Sequence, residues 1–225
     1  MNLPDLVSQG IYARLAWGVI AAAIAIWMLN GASRRTAWAR GPAVRRLIAA
    51  LAAASMWLPN ELSPAFWAGM LLQAPSVTLA ALGIAWIWRC ERRGADAHDP
   101  ARRSDLWPAA PAITTAAAGL LLYAGVFTWL PFDLYSPGFR PLAGTAIAAA
   151  IAVLWRALSP ASGVAALCLG IAVLAHATMR WPTGNLWDAV LDPFLVAWSI
   201  VTAIRIAIHS SLAGRPDRDS DRKLA

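Results

Sequence analysis

The chain has 225 residues, of which 59% are hydrophobic and only 14% are charged, and its mean hydropathy is +0.54. A soluble domain usually carries about a quarter charged residues, so the composition argues against a soluble protein. The net charge of +7 does not indicate a nucleic-acid partner, because the basic residues lie in short links between apolar runs and not on one polar surface. We therefore predict an all-α, polytopic transmembrane helical bundle.

The first predicted span covers residues 12–29, and a cluster of arginines follows it. The segment before the span contains Asp5 and no early Lys or Arg, which is the reverse of the charge order in a cleaved signal peptide. We predict an uncleaved anchor whose N-terminus lies outside.

Six further apolar stretches approach the length of about 20 residues that a helix needs to cross the hydrocarbon. They are residues 44–58, 65–88, 110–130, 142–158, 163–179 and 189–208. The stretch at 44–58 is the weakest, since Arg45 and Arg46 must extend toward the interface at its inner end. Residues 1–209 are thus predicted to form a single transmembrane domain, and the polar tail at 210–225 is predicted to be disordered.

The distribution of basic residues supports seven alternating spans. In this arrangement sixteen Lys and Arg residues fall in inner segments, and Arg14, Arg140 and Arg180 fall outside. This asymmetry follows the positive-inside rule and predicts a cytoplasmic C-terminus. The richness in Ala and Arg suggests a bacterial protein, so we predict multi-pass insertion in the bacterial inner (cytoplasmic) membrane.

The sequence gives no sign of a catalytic motif or a cofactor. It has no Gly-rich phosphate loop, no H-E-x-x-H and no C-x-x-C. His98, His176 and His209 are too scattered for haem, and Cys90 and Cys168 lie at different predicted depths, which disfavours a disulfide. We predict neither a metal site nor a cofactor.

Polar residues gather in the predicted outer links and beside them. This outer polar rim consists of Glu61, Asp133, Tyr135, Arg140, His176, Arg180, Asn185, Asp188 and Asp192. His176 and Arg180 are four residues apart, as are Asp188 and Asp192, so two pairs on successive helices could form an ion-paired site or a proton relay. The alternative is structural: Asn185 caps a helix, and Asp192 caps another whose first residue is a proline.

Gln73, Pro75 and Ser76 interrupt the third predicted span. Proline in a transmembrane helix frees a backbone carbonyl and bends the helix, and neighbouring polar side chains can satisfy the freed groups. Interrupted helices line the substrate sites of many transporters. The sequence is compatible with a simple kink and with a solute pathway.

Three functions fit these features. The preferred one is an accessory or scaffold subunit of a membrane assembly for envelope biogenesis or secretion, because the chain is small and has no predicted soluble domain. The second is a small-solute or ion-coupled transporter or permease. The third is an enzyme that acts on a lipid-linked substrate at the outer face, with His176 as acid or base. The expected partners are the lipid bilayer and either another membrane subunit or further copies of this chain.

Overall fold

A computed structural model describes residues 3–32, 36, 41–93 and 106–213. Within these ranges the chain forms nine α-helices and no strand. The helices are α1 (Leu6–Ala32), α2 (Pro42–Ser55), α3 (Pro64–Leu72), α4 (Val77–Arg93), α5 (Ala109–Val126), α6 (Pro141–Leu158), α7 (Gly163–Met179), α8 (Leu186–Val190) and α9 (Pro193–Ala213). Short 3₁₀ turns at Asn60–Leu62, Ser136–Phe139 and Pro160–Ser162 join some of them. The predicted all-α class is confirmed.

Four helical segments in the described part of the chain are long and apolar enough to cross a membrane. They are Leu6–Ala32, Ala109–Val126, Pro160–Met179 and Pro193–Ser211. Gly144–Leu158 is a shorter apolar helix. These segments are consistent with a multi-pass membrane protein.

Contacts between helix ends show which ends lie together. Arg46, in the first turn of α2, forms an ion pair with Glu91 near the end of α4, with 2.6 Å between Nη2 and Oε2. Arg45 Nη1 donates to Oδ1 of Asn30, near the end of α1, at 3.3 Å. The start of α2 therefore lies beside the ends of α1 and α4, and we call this side of the bundle the arginine-rich end.

The opposite end is defined by a second set of contacts. The guanidinium of Arg14, in α1, lies 6.0 Å from the ring of Trp57, just after α2. The ring centroids of Tyr12 and Trp181 are 5.3 Å apart, which brings the start of α1 beside the end of α7. In chain order, α1, α2 and α4 thus alternate in direction between the two ends, and α7 ends on the side where α1 begins.

The core is built around α7, which packs against α4 and α6. Ala165 and Ala172 of α7 are completely buried, and such small side chains allow helices to approach closely. A tryptophan before α5 contacts two further helices: Trp107 Nε1 donates to Ser199 Oγ of α9 at 2.8 Å, and its ring lies edge-on to Trp155 of α6. These contacts fix the orientation of the segments that carry the site.

Three predicted segments differ in detail from the observed helices. The span at 65–88 is two helices, because Gln73 has a φ of +61° and Pro75 has no N–H to continue the helix. The span at 189–208 is interrupted at Leu191 and Asp192, between α8 and α9. The predicted disordered tail is helical as far as Ala213, and residues 214–225 lie outside the described residues. By contrast, the predicted span at 163–179 coincides with α7.

Candidate functional site

The first interruption, between α3 and α4, is stabilised by hydrogen bonds from two aromatic side chains of α1. Trp17 Nε1 donates to the carbonyl of Gln73 at 3.1 Å, and the Tyr12 hydroxyl donates to the carbonyl of Pro75 at 2.7 Å. Ser76 then caps α4, because its Oγ accepts the N–H of Leu79 at 3.1 Å. Backbone groups freed by the proline thus find partners inside the protein, as the absence of water in hydrocarbon requires.

The second interruption, between α8 and α9, centres on the buried side chain of Asp192. Its Oδ1 accepts the N–H of Leu195 at 2.8 Å, so the residue caps α9, and Pro193 occupies the first helical position. Its Oδ2 accepts the N–H of Ser76 at 2.9 Å. One carboxylate therefore joins the two interruptions and satisfies a donor at the start of each following helix.

This geometry places the positive ends of two helix dipoles at one anionic group. Both α4 and α9 begin beside Asp192, and a helix N-terminus carries roughly half a positive charge. The predicted capping role of Asp192 is confirmed, and the side chain also holds α4 and α9 together.

A cavity of about 400 Å³ opens beside the junction. Its lining residues are Leu71, Leu72, Gln73, Ala74, Leu122, Tyr123, Val126, Tyr135, Thr183, Asp188, Leu191, Asp192 and Pro193. Two carboxylates and no Lys or Arg occur among these described lining residues. The C-terminal end of α3, where the helix dipole is negative, also reaches the wall. The cavity is therefore electronegative.

Asp188 accepts hydrogen bonds from two hydroxyl groups of the cavity wall. The Tyr135 hydroxyl lies 2.9 Å from each carboxylate oxygen, and Thr183 Oγ1 donates to Oδ2. A carboxylate offers about four acceptor positions, so these bonds leave capacity for a bound donor. Burial, followed by the negative charge of Asp188, raises the pKa of Tyr135, which keeps the phenol protonated as a donor.

The backbone around Tyr135 is held from two sides. Asp133 Oδ1 accepts the N–H groups of Tyr135 at 2.8 Å and Ser136 at 3.1 Å, and these bonds, led by that of Ser136, lower the pKa of Asp133. The amide of Asn185 donates to the Tyr135 carbonyl at 3.2 Å, while its Oδ1 caps α8. Gly138 permits this approach, since a Cβ there would collide with Asn185 Oδ1.

His176 and Arg180 form a separate, partly buried contact. Arg180 Nη1 lies 3.2 Å from His176 Nε2, and Nη2 donates to the carbonyl of Phe139 at 3.1 Å. His176 is completely buried in the described structure and does not line the cavity. This burial leaves no open face for a substrate, so the geometry does not favour His176 as an acid or base.

The structure brings together only part of the outer polar rim. Tyr135, Asp188 and Asp192 line the cavity with Gln73, and Asp133 and Asn185 support its wall. Glu61 and Arg140 are exposed elsewhere and do not line it. The inference that Asp188 and Asp192 share one helical face is wrong, because the helix that contains Asp188 ends at Val190.

Several residues of the site were missed by sequence reasoning. Tyr12 and Trp17 lie in the first predicted span, which was interpreted only as a membrane anchor. Their side chains nevertheless donate hydrogen bonds to the backbone carbonyls at the first interruption. Tyr123 and Thr183 complete the polar wall of the cavity. The sequence held one general indication of this role, because buried tyrosine hydroxyl and tryptophan indole groups usually form a hydrogen bond.

The arrangement can bind a small positively charged group but is poorly suited to a bare multivalent metal ion. No group of three or more His, Cys, Asp or Glu side chains in the described residues could hold a metal ion. The lining is mainly leucine, valine and aromatic surface with a few polar groups, the usual composition of a site for a small organic ligand. Comparison with models of protein families, with curated proteins and with solved structures found no match to this chain.

Proposed function

We propose that this protein is a small multi-pass permease that binds and carries a small cationic solute. The observation that carries the proposal is the electronegative cavity at the junction of two interrupted helices, with Asp188 and Asp192 in its wall. Discontinuous helices place polar backbone and side chains at membrane depth without exposing them to lipid, and transporters use them to build solute sites.

The proposal includes seven crossings of the bacterial inner membrane. They are α1, α2, α3 with α4, α5, α6, α7, and α8 with α9. The alternating helix directions support this topology, and the arginine-rich end is assigned to the cytoplasm by the positive-inside rule. The N-terminus then lies outside, the C-terminus is cytoplasmic, and the cavity end of the bundle is the outer end.

A reporter fusion tests the topology directly. A phosphatase that is active only outside the cytoplasm, fused within residues 94–105, should be inactive, because this link follows α4 at the arginine-rich end. The same reporter fused at Glu61 should be active. Activity in the first fusion and none in the second would reverse the proposed orientation and contradict the seven-span arrangement.

The cavity favours a solute with a single positive charge and limited size. Its volume of about 400 Å³ lies toward the lower end of the usual range for ligand pockets, about 300–1,000 Å³. Tyr123 and Tyr135 add aromatic surface, which attracts a cation. An anion would meet two carboxylates and no Lys or Arg among the lining residues, which disfavours its binding.

Flux measurements with solutes of similar shape and different charge test the function. Guanidinium, urea and acetate are suitable because all three are small and planar, and they are positive, neutral and negative. In proteoliposomes of the purified chain, guanidinium uptake should exceed the uptake of protein-free vesicles about tenfold, a difference of about 1.4 kcal/mol in barrier. Urea and acetate should show no such increase. Equal uptake of all three, or none, would contradict the proposal.

A second candidate function is that of an accessory subunit of a membrane assembly. It is favoured by the exposed apolar face of α3. This helix packs mainly against α1, and the side chains of Trp67, Met70 and Leu71 are more than half exposed. Such a face fits a neighbouring membrane helix as well as lipid. Absence of flux, together with a stoichiometric partner that co-purifies in mild detergent, would favour this candidate over the permease.

A further inference from the structure

A second cavity lies next to the first and shares part of its wall. This vestibule has a volume of about 470 Å³ and is the more open of the two. Its lining residues are Gly125, Val126, Thr128, Leu130, Pro131, Phe132, Asp133 and Tyr135. Val126 and Tyr135 also line the cavity that contains Asp188 and Asp192. These two residues therefore belong to the wall that the vestibule and the cavity share.

Of the two, Tyr135 is the one whose position depends on a polar bond that can be exchanged. Its backbone is fixed by Asp133 and Asn185, as described above, so movement is confined to the side chain. The ring is half-buried, and its hydroxyl donates a hydrogen bond to the Asp188 carboxylate, 2.9 Å from each oxygen. Rotation of the side chain would break this bond without disturbing the backbone contacts.

We propose that Tyr135 is the gate between the vestibule and the cavity, and that a cation with N–H donors opens it by replacing the tyrosine hydroxyl on Asp188. This inference rests on the proposed permease function and adds the route of entry and the class of solute. Asp188 already accepts donors from Tyr135 and Thr183. Asp188 is half-buried, and a solute that supplies an N–H donor in place of the hydroxyl keeps this carboxylate hydrogen-bonded.

The exchange separates two kinds of cation. An ammonium or guanidinium group carries N–H donors and forms charge-assisted hydrogen bonds with a carboxylate. A quaternary ammonium has the same charge and no donor, so it cannot replace the hydroxyl. Tyr135 would thus select by hydrogen bonding, while the two carboxylates select by charge.

The gate can be tested by the reactivity of a cysteine placed inside the cavity. Leu122 is buried and lines the cavity but not the vestibule, so Leu122→Cys reports on the space behind Tyr135. The native Cys90 and Cys168 are buried and are first replaced by alanine. In nanodiscs, a membrane-impermeant cationic methanethiosulfonate should label position 122 about tenfold faster after Tyr135→Phe, which removes one charge-assisted hydrogen bond. Tyr135→Ala, which also removes the ring, should accelerate labelling at least as much.

Two controls separate gating from general loosening of the structure. Tyr123→Phe removes a phenol hydroxyl from the cavity wall but not from the partition, so labelling at position 122 should stay unchanged. A cysteine at Phe132, in the vestibule, should react equally fast with and without the Tyr135 substitutions. Unchanged labelling of position 122 in both Tyr135 variants would overturn the gate.

Protection of the same cysteine tests the class of solute. With Tyr135 in place, guanidinium should bind at Asp188 and slow labelling at position 122 several-fold, whereas tetramethylammonium, which cannot replace the hydroxyl, should have little effect. Equal protection by both cations, or by neither, would overturn the donor requirement. These outcomes are distinguishable from failure of the permease function, since accelerated labelling without guanidinium flux would support the gate and reject transport.

Discussion

Replacement of Asp192 with leucine is expected to lower the free energy of unfolding by about 3 kcal/mol. Leucine has nearly the same size but no acceptor, so the N–H groups of Ser76 and Leu195 would both lose their partner. Each buried donor left without an acceptor costs about 1–3 kcal/mol. The loss should be visible as earlier unfolding when the purified protein in mild detergent is titrated with dodecyl sulfate.

Asp133 offers a matched control for this substitution. It also accepts two backbone N–H groups, from Tyr135 and Ser136, but it is exposed. Water can replace its carboxylate, so Asp133→Leu should cost less than about 1 kcal/mol. Similar losses in the two variants would mean that the buried position of Asp192 does not matter, which would contradict its role as the shared cap of α4 and α9.

The second large effect concerns transport and not stability. Asp188→Asn is expected to reduce guanidinium flux at least about tenfold, because a hydrogen bond to a charged group contributes about 1.5–3 kcal/mol. The fold should persist, since the hydroxyls of Tyr135 and Thr183 can bond to an amide as well as to a carboxylate. Flux into proteoliposomes and unfolding in dodecyl sulfate should be measured on the same preparation.

Glu61→Gln is the control for the loss of one negative charge at the same end of the bundle. Glu61 is exposed in the turn before α3 and does not line the cavity. Its neutralisation should leave guanidinium flux unchanged. If Asp188→Asn also transports normally, the cavity is not the solute site.

The sequence was sufficient for the parts of the fold that depend on composition alone. The helix Gly163–Met179 was predicted to the residue, because an unbroken apolar run between polar links has one favourable state in lipid. Caps at Asn185 and Asp192 were also predictable, since each side chain satisfies donors only a few residues away.

The remainder of the site depends on contacts between distant segments. The spacing around Pro75 indicates a bend, but a full interruption needs the donors of Tyr12 and Trp17, which are about sixty residues away in the chain. Likewise, Glu61 and Arg140 were included in the predicted outer polar rim because they were expected on the outer side of the membrane, yet they do not line the cavity. The order of helices around a bundle is not encoded in residue spacing, so these differences could not be predicted.

The bond between Asp192 and Ser76 constrains how such a protein could alternate between its two faces. Because the carboxylate that caps α9 also accepts the N–H of Ser76 at the start of α4, the two helices cannot separate at this point without leaving that buried donor without an acceptor. In the proposed permease we therefore expect α4 and α9 to move as one unit. The segment expected to move relative to them is the short helix α3, which is joined to α4 through the non-helical residue Gln73.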